Sequence, residues 1–285
     1  MELVKARILG YCMGVRRAVE MAYRRLSAPS GRVYTIGPLI HNPQVLEDLK
    51  KRGAEALDED RLPPELFGAV VIIRAHGISP DLEADLVCRG GCIADATCPR
   101  VKASQMKART LAGAGYRVFL AGEAHHEEIA GIRGYAPGCT VVADPDEMAA
   151  VAERLFREDP GARTALIGQT TISPDEYEAI GEAMRSFFPG IEVIDTICGA
   201  TRDRQNALRE LCAGVDALIV AGGRESANTR RLFVIAQASG KPAWLVETAG
   251  EVPGEIGLYA RVGLSAGAST PDEVIRTIEA KIQAL

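Results

Sequence analysis

The sequence predicts an α/β fold made of three pseudo-equivalent β/α units with mainly parallel sheets. Three observations predict it. A cysteine recurs in one frame: "DATCPRVKASQ" (residues 95–105) and "DTICGATRDRQ" (residues 195–205) both read Asp-x-x-Cys-x6-Gln. A glycine then closes an apolar run, with Gly37, Gly122 and Gly222 lying 25, 24 and 24 residues after Cys12, Cys98 and Cys198. A serine-led turn ("SPD" at Ser79 and Ser173, "STPD" at Ser269) follows a second apolar run. Strands alternating with helices favour parallel sheets, with ligands gathered at the carboxyl ends of the strands.

Each element follows from local pattern. After Cys12, the residues Val15, Ala18, Val19, Ala22 and Leu26 mark one face of a helix that Gly31 is expected to close, before the strand "RVYTIG". After Cys98, Val101, Ala108, Leu111 and Ala112 predict a helix ended by Gly113 and Gly115, then the strand "YRVFLAG". After Cys198, Ala207, Leu208 and Leu211 predict a helix ended near Gly214, then "DALIVAGG". The second strands are "AVVIIRAHG", "TALIGQTT" and "ARVGLSAG". Ser79, Ser173 and Ser269 are expected at N-caps, with proline and aspartate in the first turn. The units are 13–97 (Cys12 at its start), 98–196 and 197–285, the last completed by a strand from residues 1–12.

Composition sets bounds. The chain has 285 residues, 47% hydrophobic and 25% charged, as in ordinary globular proteins. A net charge of −5 without a long basic run argues against nucleic acid. No apolar stretch reaches 18 residues, and the N-terminus is too short and mixed for a signal peptide, which predicts a cytoplasmic protein without membrane contact. There thiols stay reduced, so seven cysteines suggest metal, catalysis or core rather than disulfides.

Three cysteines in equivalent frames suggest three units each donating one thiolate. Zinc would take four protein ligands, or three with an open position. Three thiolates without a fitted fourth also suit a [4Fe-4S] cluster with one non-cysteine iron. The bland alternative is three core cysteines. Cys88 and Cys92 form a local Cys-x3-Cys, but Cys92 aligns with Glu192 and the repeat does not need it; Cys139 and Cys212 read as core. Four residues past the strand glycines stand His41, His126 and Ser226, beside Asn42, Glu128 and Asn228. His76, Thr170 and Ser269 fall at the second strand ends. These donors, with helix N-termini, describe an anion pocket suited to a diphosphate or a polycarboxylate. No P-loop or clear Rossmann fingerprint is present. Glu128, a carboxyl among donors, is the natural proton carrier, set against the reading of a solvated helix-start glutamate.

The motifs "GYCMGVRRAV", "GPLIHNPQVL", "RAHGIS", "DATCPRV", "HHEEIAG", "QTTIS", "DTICGATRDRQ", "ESANTRR" and "SAGASTPD" together resemble the LytB/IspH family of 4-hydroxy-3-methylbut-2-enyl diphosphate reductases. They run in order from about residue 8 to residue 275. The resemblance implies a trefoil of α/β units around one [4Fe-4S] cluster per chain, held by Cys12, Cys98 and Cys198 with one open iron. It implies an oxidoreductase acting on CH or CH2 groups, which reductively removes the allylic hydroxyl to give isopentenyl and dimethylallyl diphosphates, the last step of the non-mevalonate pathway. Electrons would come from ferredoxin or flavodoxin. His41, His76, His126, Ser226, Asn228 and Ser269 would hold the diphosphate, and Glu128 with Thr170 would deliver the proton. The chain departs from the family pattern at Glu127 (commonly Pro), Ala227 (commonly Ser) and Gly199 (commonly bulkier). A redox-neutral dehydratase and a non-enzymatic iron–sulfur sensor are the rival readings of the same frame.

Overall fold

The computed structural model describes residues 1–28 and 31–285. The chain opens with β1 (Glu2–Lys5), α1 (Met13–Ser27), β2 (Val33–Ile36), α2 (Pro43–Lys51), β3 (Ala54–Leu57), β4 (Val70–Ile73), α3 (Pro80–Cys88) and β5 (Cys92–Asp95). It continues through α4 (Pro99–Gly113), β6 (Arg117–Ala121), α5 (Glu127–Tyr135), β7 (Thr140–Val142), α6 (Pro145–Glu158), β8 (Thr164–Gly168), α7 (Pro174–Arg185) and β9 (Glu192–Val193). It closes with α8 (Gly199–Ala213), β10 (Ala217–Ala221), α9 (Ala227–Ala238), β11 (Ala243–Val246), β12 (Arg261–Ala266) and α10 (Asp272–Gln283).

The strands form three four-stranded sheets, ordered β3-β2-β4-β5, β7-β6-β8-β9 and β11-β10-β12-β1. Every strand pairing is parallel. The order repeats. The strand after each cysteine helix is second, the next long strand is third, and the edge strand leading to a cysteine is fourth. β1 fills that fourth place, with Leu3 opposite Val262 and Lys5 opposite Leu264. Cys92 lies opposite Val70 and Glu192 opposite Ala165, so these two start equivalent strands.

The chain folds as two compact units. The first comprises 1–19, 40–52 and 199–285 and holds the sheet with β10; the second comprises 20–39 and 53–198 and holds the other two sheets. Parallel strands with both faces covered must be apolar throughout, and "VVII" in β4 and "ALIVA" in β10 are buried at every position. The period of two divides each strand between two cores. In β6, Phe119 and Ala121 pack with Leu166 of β8 and Ile180 of α7, whereas Val118 and Leu120 face Ala108 of α4 and Ile129 of α5. In β10, Ile219 faces Ile275 and Ile278 of α10, and Leu218 faces Leu208 and Leu232 of α8 and α9.

The strand glycines turn the chain. Gly37, Gly122 and Gly222 donate N–H to Leu57, Val142 and Val246, each at 2.9 Å. At Gly222 (φ 144°) a Cβ would lie 2.7 Å from Thr270 Oγ1 and 2.9 Å from Thr229 Oγ1.

Two expected boundaries differ. α1 ends at Ser27, short of Gly31. Gly31 is needed instead for close packing, since a Cβ there would lie 2.3 Å from the Gly68 carbonyl oxygen. Ser79 and Ser173 are N-caps, but Ser269 is not: α10 starts at Asp272 with Pro271 as its cap. Thr270 shifts the proline back by one place, and the Ser269 hydroxyl bonds elsewhere. Cys212 is core, whereas Cys139 is half-buried just before β7.

Gly222→Ala should destabilise the protein by about 1–3 kcal/mol, the usual cost of an unfavourable backbone conformation. A lower urea midpoint with unchanged slope is the expected result.

Candidate functional site

Each of Cys12, Cys98 and Cys198 stands immediately before a helix: α1, α4 and α8. Each donates its N–H to a carbonyl two residues past the end of a third-place strand. Cys12 bonds Ala268 at 3.1 Å, Cys98 bonds Ala75 at 2.9 Å and Cys198 bonds Thr170 at 2.9 Å. The twin aspartates prepare this turn. Asp95 Oδ1 accepts from Thr97 N at 2.9 Å, and Asp195 Oδ1 accepts from Ile197 N at 3.1 Å. Such Asx turns reverse the backbone at small cost. The three thiols are half-buried and none is in a disulfide, and Cys12 Sγ accepts from Val15 N at 3.5 Å.

In the second unit Glu128 is 2% exposed despite its place in the first turn of α5. The solvated alternative is therefore wrong. Glu128 Oε1 accepts from Thr170 N at 2.6 Å, and Oε2 accepts from the Thr170 hydroxyl at 2.8 Å. Since the Thr170 carbonyl accepts from Cys198, one residue joins the carboxylate to the cysteine. His126 is the N-cap of α5 and its Nδ1 accepts from Glu128 N at 3.1 Å. His76 stands edge-on to it, with ring centroids 5.3 Å apart and planes at 89°. Gln169, which the sequence reading passed over, braces the strand end. Its Oε1 accepts from Glu123 N at 3.0 Å, and its Nε2 donates to Thr171 Oγ1 at 3.0 Å. Its place at the head of the QTTIS motif is the signal the sequence offers.

In the first unit the Ser269 hydroxyl donates to the His41 carbonyl at 3.0 Å, and a Cβ on Gly223 would lie 2.6 Å from the same oxygen. Asn42, not His41, caps α2, accepting from Val45 N at 3.1 Å. Ser226 caps α9. Asn228 is 6% exposed, and its Nδ2 has no hydrogen-bond partner among the described residues. A buried amide donor without an acceptor costs free energy unless a ligand supplies one. Gly199 is exposed with open space where a side chain would stand, and Ala227 is buried at the first turn of α9. Cys88 and Cys92 are exposed, with Cys92 at the N-terminal end of β5.

Asp95 also shows how charge supports the frame. Burial pushes its carboxyl up, but the Thr97 bonds and Lys102, at 3.3 Å, outweigh that and hold it below the ordinary 3.8. A depressed carboxyl contributes stability above its unfolded value and loses it as pH falls through the folded one.

Parallel sheets that bring cysteines to helix starts, with a buried carboxylate tied to the backbone of one of them, describe an α/β enzyme. The chain matches the LytB protein family model over residues 3–283, and it belongs to that family. It is 44% identical over 288 residues to the 4-hydroxy-3-methylbut-2-enyl diphosphate reductase of Treponema denticola, covering 99% of each chain. The Aquifex aeolicus protein of the same name is 37% identical, over 99% of this chain and 96% of that one. Among solved structures, the E-1-hydroxy-2-methyl-but-2-enyl-4-diphosphate reductase of Plasmodium falciparum superposes with a TM-score of 0.90 at 29% identity, covering 98% of this chain and 87% of that one. A second structure, (E)-4-hydroxy-3-methyl-but-2-enyl diphosphate reductase, the terminal enzyme of the non-mevalonate pathway, gives 0.71 at 36% identity, covering 100% and 99%. Among the described residues no helix is long and apolar enough to cross a membrane.

Asp95→Asn should lose stability at neutral pH and lose less relative to wild type as pH falls below about 3.8. Urea unfolding of both proteins at pH 6 and pH 3 measures the narrowing gap.

Proposed function

We propose that this chain reduces (E)-4-hydroxy-3-methylbut-2-enyl diphosphate to isopentenyl and dimethylallyl diphosphates, the terminal step of the non-mevalonate pathway, as a cytoplasmic iron–sulfur oxidoreductase. The observation that carries the mechanism is the Glu128–Thr170–Cys198 connection, which ties an acid to a thiol through one residue. We further propose three repeats, 13–97 with Cys12 at its start, 98–196, and 197–285 completed by the N-terminal strand, so that the helix start of each repeat supplies one thiolate.

The family is one of iron–sulfur enzymes, and the donor set here suits such a group: three half-buried thiols, none in a disulfide, in one backbone frame. Cys12, Cys98 and Cys198 would hold one [4Fe-4S] cluster per chain. With one iron free of cysteine, the cluster would supply electrons and a Lewis acid at the substrate oxygen. The protein's own residues do the rest. The orphaned Asn228 amide, the Ser226 and Ser269 hydroxyls and the N-terminus of α9 offer donors to an anion in the first unit. His76 and His126 do so in the second, and His41 adds an imidazole in the first. A carboxylate has about four lone-pair sites. Thr170 grips both oxygens, one through its N–H and one through its hydroxyl, which holds Glu128 in place as the proton carrier. The Thr170 hydroxyl is the other movable proton of the pair. A charge-poor interior excludes water from that exchange, since Glu128, Thr170 and His126 are all buried. Two electrons from ferredoxin or flavodoxin complete the reaction. A redox-neutral dehydration would need no such donor.

Replacing any one of Cys12, Cys98 or Cys198 by serine should strongly impair retention of iron and sulfide after anaerobic reconstitution. Cys88, Cys92, Cys139 and Cys212 to serine should leave it bound; a site that required Cys88 or Cys92 would overturn the ligand set. Glu128→Gln should keep the cluster and bind substrate, yet turn over about 10² to 10⁴ times more slowly, the usual cost of losing a general acid. Anaerobic assay of the allylic diphosphate with a chemical reductant measures it, with Glu127→Gln as the mild control. Near-normal turnover in fully loaded Glu128→Gln would refute the role.

A further inference from the structure

The motif Asp-x-x-Cys-x6-Gln contains a glutamine that neither the cysteine frame nor the acid accounts for. Gln105 lies on α4 and is 1% exposed. Its Nε2 donates to the Ile78 carbonyl at 3.4 Å, in the loop that carries His76. The same amide fills the space where a side chain on Gly77 would stand. The φ of Gly77 is 74°, and a Cβ there would lie 2.4 Å from Gln105 Nε2 and 3.0 Å from Thr97 Cγ2. The amide therefore lies against bare backbone between His76 and Ile78.

The helix bearing His126 and Glu128 closes on the same point. α5 packs on α4. A Cβ on Gly131 would lie 3.3 Å from Gln105 Nε2 and 3.5 Å from the Gly77 carbonyl oxygen. One turn on, a Cβ on Gly134 would lie 2.4 Å from Ser79 Cβ and 3.0 Å from Pro80 Cδ. Two glycines on one face of α5 thus press it against residues 77–80, with the Gln105 amide as the wedge. His76, just before Gly77, and His126, at the start of α5, meet edge-on across these same two segments.

We propose that Gln105 is a positioning residue, which sets the His76 loop against α5 and so fixes the separation of His76 and His126 for recognition of a diphosphate. This rests on the diphosphate reading of the site above. Gln105 touches no substrate; it acts through His76. An apolar side chain of similar volume would fill the space but would not hold the Ile78 carbonyl, and the loop would drift from its place.

The test compares Gln105→Leu with Ile180→Val, a core change on α7 in the cluster on the opposite face of that sheet. Both should lower thermal stability. Calorimetric binding of inorganic diphosphate to the cluster-loaded proteins should weaken roughly tenfold in Gln105→Leu only, as expected when a hydrogen bond to a charged group is compromised. With the allylic diphosphate, KM should rise similarly while kcat stays within about twofold, the mark of lost binding rather than lost chemistry. Wild-type affinity in Gln105→Leu, or equal weakening in Ile180→Val, would overturn the proposal. Wild-type protein that binds inorganic diphosphate but does not turn over the allylic substrate would count against the reductase reading alone. The Gln105 comparison would then be decided on diphosphate affinity.

Discussion

The hydrogen bond from each cysteine N–H to a strand-end carbonyl is the constraint from which the site follows. It joins the start of a helix to the end of a parallel strand, and it does so at Cys12, Cys98 and Cys198 alike. A thiol placed this way faces the carboxyl ends of the strands, where helix N-termini also point. The backbone N–H groups at such helix starts are donors with no intrahelical partner of their own. At Thr170 the same constraint does more. Its carbonyl takes the cysteine N–H while its N–H and hydroxyl take the Glu128 carboxylate. A shift in that strand end would move the sulfur and the acid together.

Burial of an acid needs compensation, and Glu128 has it from two donors on one residue. Its backbone N–H is taken by His126 Nδ1 at the helix cap. The imidazole therefore acts as a cap through one nitrogen, and its other nitrogen is on the opposite side of the ring. The first unit solves a similar problem differently. There the His41 carbonyl, rather than the ring, is held by Ser269, and Asn42 caps the helix. The repeats share a backbone and diverge in side-chain chemistry, which suits three like frames to an unlike set of tasks.

Much of this was legible in the sequence because the repeats announce themselves through residues with narrow backbone roles. Glycines with positive φ and aspartates in Asx turns are hard to replace, so the three strand ends and two of the three cysteine approaches could be aligned by eye. The serines at Ser79 and Ser173 carried the right meaning, but Ser269 did not. One inserted residue moved the cap to Pro271, and spacing alone cannot tell a cap from a residue beside one. Gly31 misled for a related reason: a glycine that permits close approach to Gly68 looks the same in sequence as one that ends a helix. The burial of Glu128 and the bracing of Glu123 by Gln169 were not legible, because they depend on pairs 42 and 46 residues apart in the chain.

The strand β1 pairs with β12, so Glu2 lies opposite Arg261. A ribosome adding roughly 5–20 residues per second needs on the order of 13–50 s to make the intervening chain. Through that interval β1 has no partner in its sheet. Its brevity and its charged ends, Glu2 and Lys5, are the features that discourage an orphaned edge from pairing with another chain. Cys12 depends on the same late event, since its N–H bonds Ala268 beyond β12. Cys12 is thus made early relative to its partner and set in place late, only once the residues through Ala268 have left the ribosome.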